Sequence, residues 1–141
     1  MYIDRNLRFL DDTAVTVTAD APLVPDLGIG RDIGISPEVY VVLVVTETFL
    51  AAGAATLDVI LTTDDNATLT SDTDVQTLLS AIGKATLVQG YKRAFRVQPG
   101  IVWERYAGVR FVVATGPFTA GKATIFLTTQ PELYRQYADP L

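Results

Sequence analysis

The stretch that decides the fold is Val39-Tyr40-Val41-Val42-Leu43-Val44-Val45. It contains no charged residue and lacks a polar face. A strand of this kind is covered by protein on both sides, as expected for the middle of a sheet. We therefore predict a central strand over Glu38 to Leu50, around which the rest of the chain is arranged.

Shorter segments with alternating apolar residues surround this strand. Ala55 to Thr62 places Leu57, Val59 and Leu61 on one face, and a turn around Gly53 predicts a hairpin with the central strand. A second hairpin is predicted around Gly90. The remaining predicted strands and the arms of the second hairpin are Thr13 to Thr18, Lys84 to Gln89, Lys92 to Val97, Ile101 to Tyr106, Val109 to Ala114 and Lys122 to Thr129.

One segment has helical rather than strand spacing. Val75, Leu78, Leu79 and Ile82 lie at positions i, i+3, i+4 and i+7, which form one face of a helix. Thr73 or Asp72 could cap its start, and Gly83 could end it. We predict a helix of about two turns that covers the core.

Together these segments predict an all-β fold, an antiparallel jelly-roll-like sandwich of about eight strands with one short helix. The 141 residues fit a single domain. We divide the chain into an N-terminal arm over 1–12, a jelly-roll-like domain over 13–129 and a C-terminal tail over 130–141.

The composition argues against catalysis. The chain has no cysteine and no histidine, which removes thiolate nucleophiles, the commonest general base and the commonest transition-metal ligand. We predict that the protein is not an enzyme and has no cofactor, metal or small-molecule substrate. The N-terminus does not resemble a signal peptide, and the longest apolar run is too short to span a bilayer, so we expect a soluble protein without a membrane partner.

The charge is acidic and uneven along the chain. The net charge is −5, with 3 basic and 13 acidic residues over 1–75, and 8 basic and 3 acidic residues over 76–141. An acidic chain does not suit a phosphate backbone, so we predict no nucleic-acid partner. Lys92, Arg93 and Arg96 beside Tyr91 and Phe95 could contact single-stranded nucleic acid, but a solvated strand face is favoured. We expect the two halves to intermix in the sheets rather than to form opposite faces.

Three groups of residues give weak indications of a binding or catalytic site. The glycines at 28, 30 and 34 lack dinucleotide-loop spacing and predict a turn. The acids at 64, 65, 72 and 74 could bind calcium but lack the EF-hand order, so loop carboxylates and a helix cap are favoured. A catalytic carboxylate pair would need two of Glu47, Asp58 and Glu104 to face a cleft, and nothing in the sequence sets two of them apart.

The two terminal segments are unusually apolar and aromatic for disordered tails. They either fold back on the domain or bury against a partner, and Tyr and Arg are common interface anchors. The candidate protein-interface residues are Tyr2, Leu7, Phe9, Leu133, Tyr134, Arg135 and Tyr137.

The second half of the chain resembles the capsid cement proteins of tailed bacteriophages. The resemblance rests on residues 104–111 (ERYAGVRF) and 114–122 (ATGPFTAGK), supported by 26–28, 31–34 and 53–57. It implies a jelly-roll-like decoration protein on the outer capsid surface of the virion. It also implies that the protein clamps neighbouring major capsid protein subunits, as a homodimer, and has no catalytic or metal residues.

A different class of function stays open beside this one. A carbohydrate- or receptor-binding β-sandwich of a phage tail structure would need exposed aromatic residues on which sugars stack. The single tryptophan, Trp103, lies on a predicted alternating strand, where a core or interface position is favoured over a stacking platform.

Overall fold

The computed structural model describes residues 7–28 and 39–129, which form two four-stranded antiparallel sheets packed face to face. This confirms the all-β sandwich. The strands are β1 (Arg8–Ala14), β2 (Ala19–Asp20), β3 (Tyr40–Leu50), β4 (Thr56–Asp64), β5 (Thr73–Gly83), β6 (Lys92–Arg96), β7 (Tyr106–Ala114) and β8 (Ala120–Thr128).

The strand order is that of a jelly roll. The first sheet has the order β1-β8-β3-β6, and the second has the order β2-β7-β4-β5. Only β4 and β5 follow one another along the chain and also pair in one sheet. Every other connection crosses from one sheet to the other, so the loops collect at the two ends of the sandwich.

The central strand was predicted correctly. β3 lies between β8 and β6, and Val41, Leu43 and Val45 face the core between the sheets. Val42 and Val44 point the other way and are buried in a second, smaller apolar cluster with Phe126 of β8. Both faces of β3 are therefore covered, which explains why the strand has no polar side.

The predicted helix over Val75 to Ile82 is wrong, because this segment is the edge strand β5. Leu78 and Leu79 are both buried, although neighbours in a regular strand face opposite ways. The β4–β5 pairing shifts register three times, and Ala81 has a φ of 53°. Bulges of this kind insert extra residues into the strand, so the inward positions acquire a spacing that imitates a helix.

Both predicted hairpins are also wrong. The strand after the turn at Gly53 joins the second sheet, where β4 pairs with β5 and β7 instead of β3. Residues 84–89 form turns rather than a strand, and β6 pairs with β3. Residues 101–105 are likewise irregular, and β7 begins only at Tyr106.

The predicted N-terminal arm overlaps the domain. Residues 8–12 belong to β1 and pair with β8, and Phe9 and Leu10 are buried in the core. The boundary of the folded domain therefore lies closer to Arg8 than to residue 13. Residues 1–6 and 130–141 lie outside the described residues.

The two halves of the chain intermix, as expected for a β-sandwich. Each sheet alternates strands from the acidic first half with strands from the second half. Opposite charges meet across the pairings: Arg110 faces Asp72 and Asp74, Arg105 contacts Asp26, and Lys122 lies 3.9 Å from Glu47. Over the described ranges, no helix is long and apolar enough to cross a membrane.

Candidate protein-interaction surfaces

Four connecting segments meet at one end of the sandwich. They are residues 15–18, 51–55, 84–91 and 115–119, and they follow β1, β3, β5 and β7 respectively. We call this set the apolar rim. The register places them together, because Thr56 at the start of β4 pairs with both Gly83 and Ala114.

The rim carries almost no charge. Lys84 is the only charged residue among its 22 residues, and alanine, glycine and threonine make up most of the rest. Val17 and Val88 are exposed to 56% and 44%, and Leu50, at the edge of the rim, to 54%. Such a surface combines exposed aliphatic groups with few charges that a partner would have to desolvate.

Backbone hydrogen bonds tie the four segments together. Phe118 N donates to Thr16 O at 3.0 Å, and Thr119 N donates to Leu50 O at 2.7 Å. Phe49 N donates to Leu87 O at 2.9 Å. Lys84 Nζ donates to the carbonyl of Ala51 at 2.7 Å, which also engages the one charge of the rim.

Two buried aromatic rings support the rim from below. Phe49 and Phe118 pack edge to face, with ring centroids 5.1 Å apart. Gly121 lies against this pair, and a Cβ atom at this position would come within 2.5 Å of Phe49 Cγ. Its φ of 145° is a conformation that other residues rarely adopt. The rim is therefore fixed by core packing as well as by hydrogen bonds.

The opposite end of the sandwich is charged. We call residues 21–28, 65–72 and 97–105 the charged end; they carry five charged residues: Asp26, Asp65, Asp72, Glu104 and Arg105. Leu23 and Val102 are exposed here to 40% and 84%. Exposed aliphatic groups thus occur at both ends, and the two ends differ in the charges around those groups.

Two aspartates organise the loops of the charged end. Asp26 accepts two hydrogen bonds from the Arg105 guanidinium, each 3.0 Å, and one from Gly28 N. Asp64 is buried and accepts from Ser71 N at 2.9 Å and Asn66 N at 3.2 Å. The Arg105 contact holds the pKa of Asp26 below its usual value, and the Ser71 amide does the same for Asp64.

The predicted calcium ligands are divided between two sites. Asp64, Asp65 and Glu104 place one carboxylate oxygen each within 4.8 Å of one another. Backbone amides already donate hydrogen bonds to the Asp64 carboxylate. This cluster therefore fits a structural role in holding the loop better than a metal site. Asp72 and Asp74 instead face Arg110 of β7.

Arg110 lies at the centre of an acidic patch on the second sheet. Its guanidinium contacts Asp74 through a short hydrogen bond and lies 3.5 Å from Asp72. Asp20 of β2 is paired opposite Arg110, and partial burial, then the nearby Asp72, raise the pKa of Asp20. This patch makes the outer face of the second sheet charged.

The basic cluster predicted near Gly90 lies on the edge strand β6. Arg93 stacks over Phe95 at 5.3 Å and lies 3.5 Å from the Tyr91 hydroxyl. The backbone of Arg96 accepts a hydrogen bond from the Gln76 side chain of β5, which links the two sheets at this edge. These contacts fit an edge strand with charged, partly solvated side chains.

The structure brings few of the predicted interface residues together. Phe9 is a core residue that is completely buried, so its predicted interface role does not hold for the folded domain. Leu7 is half-buried and packs against the core. The other predicted interface residues lie outside the described ranges: Tyr2, Leu133, Tyr134, Arg135 and Tyr137.

The remaining candidates have structural partners. Trp103 is 1% exposed and belongs to the core, which confirms the favoured interpretation of this residue. Glu47 lies on the first sheet beside Lys122, whereas Asp58 lies on the second sheet and accepts a hydrogen bond from Ala81 N. The structure therefore does not bring these two carboxylates together.

The apolar rim was missed by sequence reasoning. Its segments were recognised only as turns between strands. The available signal was their lack of charge: residues 15–18, 51–55 and 115–119 contain none. The lack of charge indicates a common surface only when the jelly-roll topology shows that these segments lie at one end of the sandwich.

Comparison with known proteins identifies a family. The family model named Bbp16 matches residues 9–127, which is most of the chain and nearly all of the sandwich. No curated protein matches the sequence. The chain therefore belongs to the Bbp16 family.

Proposed function

We propose that this protein is a structural capsid cement protein of a tailed bacteriophage. It binds the outer surface of the icosahedral head and clamps neighbouring major capsid subunits, and it catalyses no reaction. The sequence resemblance carried by residues 104–111 and 114–122 supports this role. In the structure these residues run from the charged end along β7, through the apolar rim, to the start of β8.

The observation that carries the proposal is the contrast in charge between the apolar rim and the charged end. The cores of protein interfaces are poor in charged residues and rich in well-packed apolar groups. The rim has this composition, and its segments are already fixed to one another. A surface of this kind suits a protein partner better than a small, polar ligand.

The sheet edges favour docking through loops rather than through added strands. β2 has two residues, and β6 has five with three positive charges. β1 and β5 are interrupted by two and three register shifts, and Asp12 of β1 and Ala81 of β5 have φ values of 43° and 53°. Edges that are short, charged or irregular disfavour pairing with another chain.

Clamping requires two contacts on different subunits. A homodimer, which we propose as the functional unit, presents two rims and so binds two capsid subunits at once. The second attachment is then intramolecular, which raises the overall affinity without a new type of contact. The terminal segments join the sandwich at the charged end, away from the rim.

Cement acts by mass action. A protein that binds the assembled shell, but not loose subunits, shifts the equilibrium toward the closed shell. The net charge of −5 favours the outer surface, because an acidic protein has no attraction for the packed DNA. The absence of cysteine and histidine makes its charge and covalent state independent of redox conditions and of pH near neutrality.

The sugar-binding alternative gains no support from Trp103, because that ring is buried and cannot stack on a saccharide. Exposed aliphatic side chains at the rim do not provide such a platform either. The cement function is therefore the only function that we propose.

Co-sedimentation tests the proposal directly. The purified protein is mixed with shells of the cognate phage from which it has been stripped, and bound protein is measured against the major subunit. We expect saturable binding at a fixed ratio and a higher temperature of shell disruption. Absence of binding to intact shells would contradict the proposed function.

A further inference from the structure

We propose that the apolar rim is the surface that docks on the shell, and that its partner is an uncharged apolar patch on the major capsid subunit. This inference rests on the proposed function and adds to it the docking face, the chemistry of its partner and an end-on orientation. The sandwich then stands with the charged end directed away from the contact.

The charge of the rim defines the partner. Burying a charged side chain without a partner is costly, and the rim offers no carboxylate and only one ammonium group. That group, Lys84 Nζ, already donates to the Ala51 carbonyl. A complementary surface must therefore be apolar or neutral, with backbone and hydroxyl groups for its hydrogen bonds.

The rigidity of the rim favours binding. Association is weakened by the entropy lost when loops and side chains become ordered. Here Phe118, Thr119 and Phe49 already fix three segments through backbone hydrogen bonds. Val17 and Val88 have one rotatable side-chain bond each and Leu50 has two, so little further freedom is lost when they are covered.

Two other described surfaces are less suited to an apolar partner. The outer face of the second sheet carries Arg110 with Asp20, Asp72 and Asp74. At the charged end, Val102 is exposed but lies beside Trp103, which is buried, and Glu104, which is charged and exposed. Leu23 is also exposed at this end, but Asp26, Glu104 and Arg105 add charges that an apolar partner would have to desolvate.

The terminal segments join the sandwich at the end opposite the rim. β1 begins, and β8 ends, at the charged end, and the nine residues of β8 span about 30 Å. The other occupants to distinguish by experiment are a second copy of this chain and one of its terminal segments.

Single cysteines provide the test, because the chain has none of its own. The variants are Val17→Cys, Leu50→Cys and Val88→Cys on the rim, with Val102→Cys at the charged end as the matched control. Labelling rates with a maleimide are measured for each variant, free in solution and bound to stripped shells of the cognate phage. Thermal unfolding confirms that each variant is folded.

We expect the rim cysteines to label at least about tenfold more slowly on the shell, because the centre of an interface excludes water, and Val102→Cys to change less than about twofold. Protection of Val102→Cys with unchanged labelling at the rim would overturn the inference while leaving the cement function intact. Rim cysteines that are already protected in the free protein would also overturn it. Protection that depends on protein concentration would identify a second copy as the occupant, and protection that does not would identify a terminal segment of the same chain. Failure of the unmodified protein to bind shells would instead refute the proposed function itself.

Discussion

The two ends of this sandwich are built from the same strands but follow different rules. At the apolar rim, backbone hydrogen bonds and the Phe49–Phe118 pair hold uncharged segments in place. At the charged end, carboxylates hold the loops, with Asp64 binding the amides of its own turn and Asp26 binding Arg105. The apolar rim therefore leaves apolar surface exposed for a partner. At the charged end, the polar groups are already hydrogen-bonded to other groups of the same chain.

This contrast has a consequence for stability. A rim fixed by close packing tolerates little added volume, because densely packed interiors relax only partly. The loops of the charged end can accommodate added volume more easily, but their stability depends on the ionisation of the carboxylates that hold them. The two ends should therefore respond differently to added methyl groups and to acid.

The largest effect is expected for Gly121→Ala. The new Cβ would meet the ring of Phe49, and the φ of 145° would be strained for alanine, so the free energy of unfolding should fall by about 2–4 kcal/mol. Chemical denaturation measures this change. Gly53→Ala is the control on the same rim, because nothing lies within 4 Å of that position. Equal stability of the two variants would show that the rim is not tightly packed.

Removal of residues 130–141 should affect binding but not folding. The described strands end at Thr128, so the truncated chain keeps the whole sandwich. If the apolar tail makes a second contact, shell affinity should fall by about tenfold, as expected when one of two linked contacts is lost. Circular dichroism and co-sedimentation measure the two effects. A truncated chain that does not fold would place the tail in the core.

A smaller loss of stability is expected for Gly108→Ala, near the charged end. A Cβ at this position would lie 2.5 Å from Leu69 Cδ1 and 3.0 Å from Thr62 Oγ1. Leu69 is buried, but the nearest atom is the far end of a flexible side chain rather than an aromatic ring. The expected cost is about 1 kcal/mol, less than for Gly121→Ala. A cost above that of Gly121→Ala would reverse the proposed order of rigidity.

Acid should loosen the charged end first. The folded-state pKa values of Asp26 and Asp64 lie below the ordinary value of 3.8. Their carboxylates therefore stabilise the loops at neutral pH, and this contribution is lost as the pH falls through the folded-state values. The amide proton shifts of Gly28 and Ser71 should titrate below pH 3.8, while those of Phe118 and Thr119 stay constant. Simultaneous changes at both ends would indicate global unfolding instead.

Sequence patterns predicted the fold class well where local physics decides the structure. The continuous apolar run of β3 reflects burial on both faces, and both faces are buried. The pattern predicted a helix instead of β5, because bulges against β4 break the two-residue period of the strand. It also predicted a hairpin around Gly53, since a turn signal shows where the chain reverses but not which sheet the next strand joins.

The candidate surface was harder to predict than the fold. Aromatic and apolar residues near the ends of the chain suggested an interface, yet Phe9 is part of the core. The rim is assembled from four segments that are distant along the sequence, and its defining property is a lack of charge. Such a surface becomes visible only when the topology shows which loops are neighbours.

Charge placed on the rim tests the account most directly. Val17→Asp and Val102→Asp each introduce one carboxylate at an exposed aliphatic position, at opposite ends of the sandwich. In co-sedimentation with stripped shells, Val17→Asp should bind about 100-fold more weakly than the unmodified protein, because an unpaired charge would be buried at the contact. Val102→Asp should bind within about twofold of the unmodified protein, since exposed charges have small effects. Equal binding by both variants, or a loss confined to Val102→Asp, would contradict docking through the apolar rim.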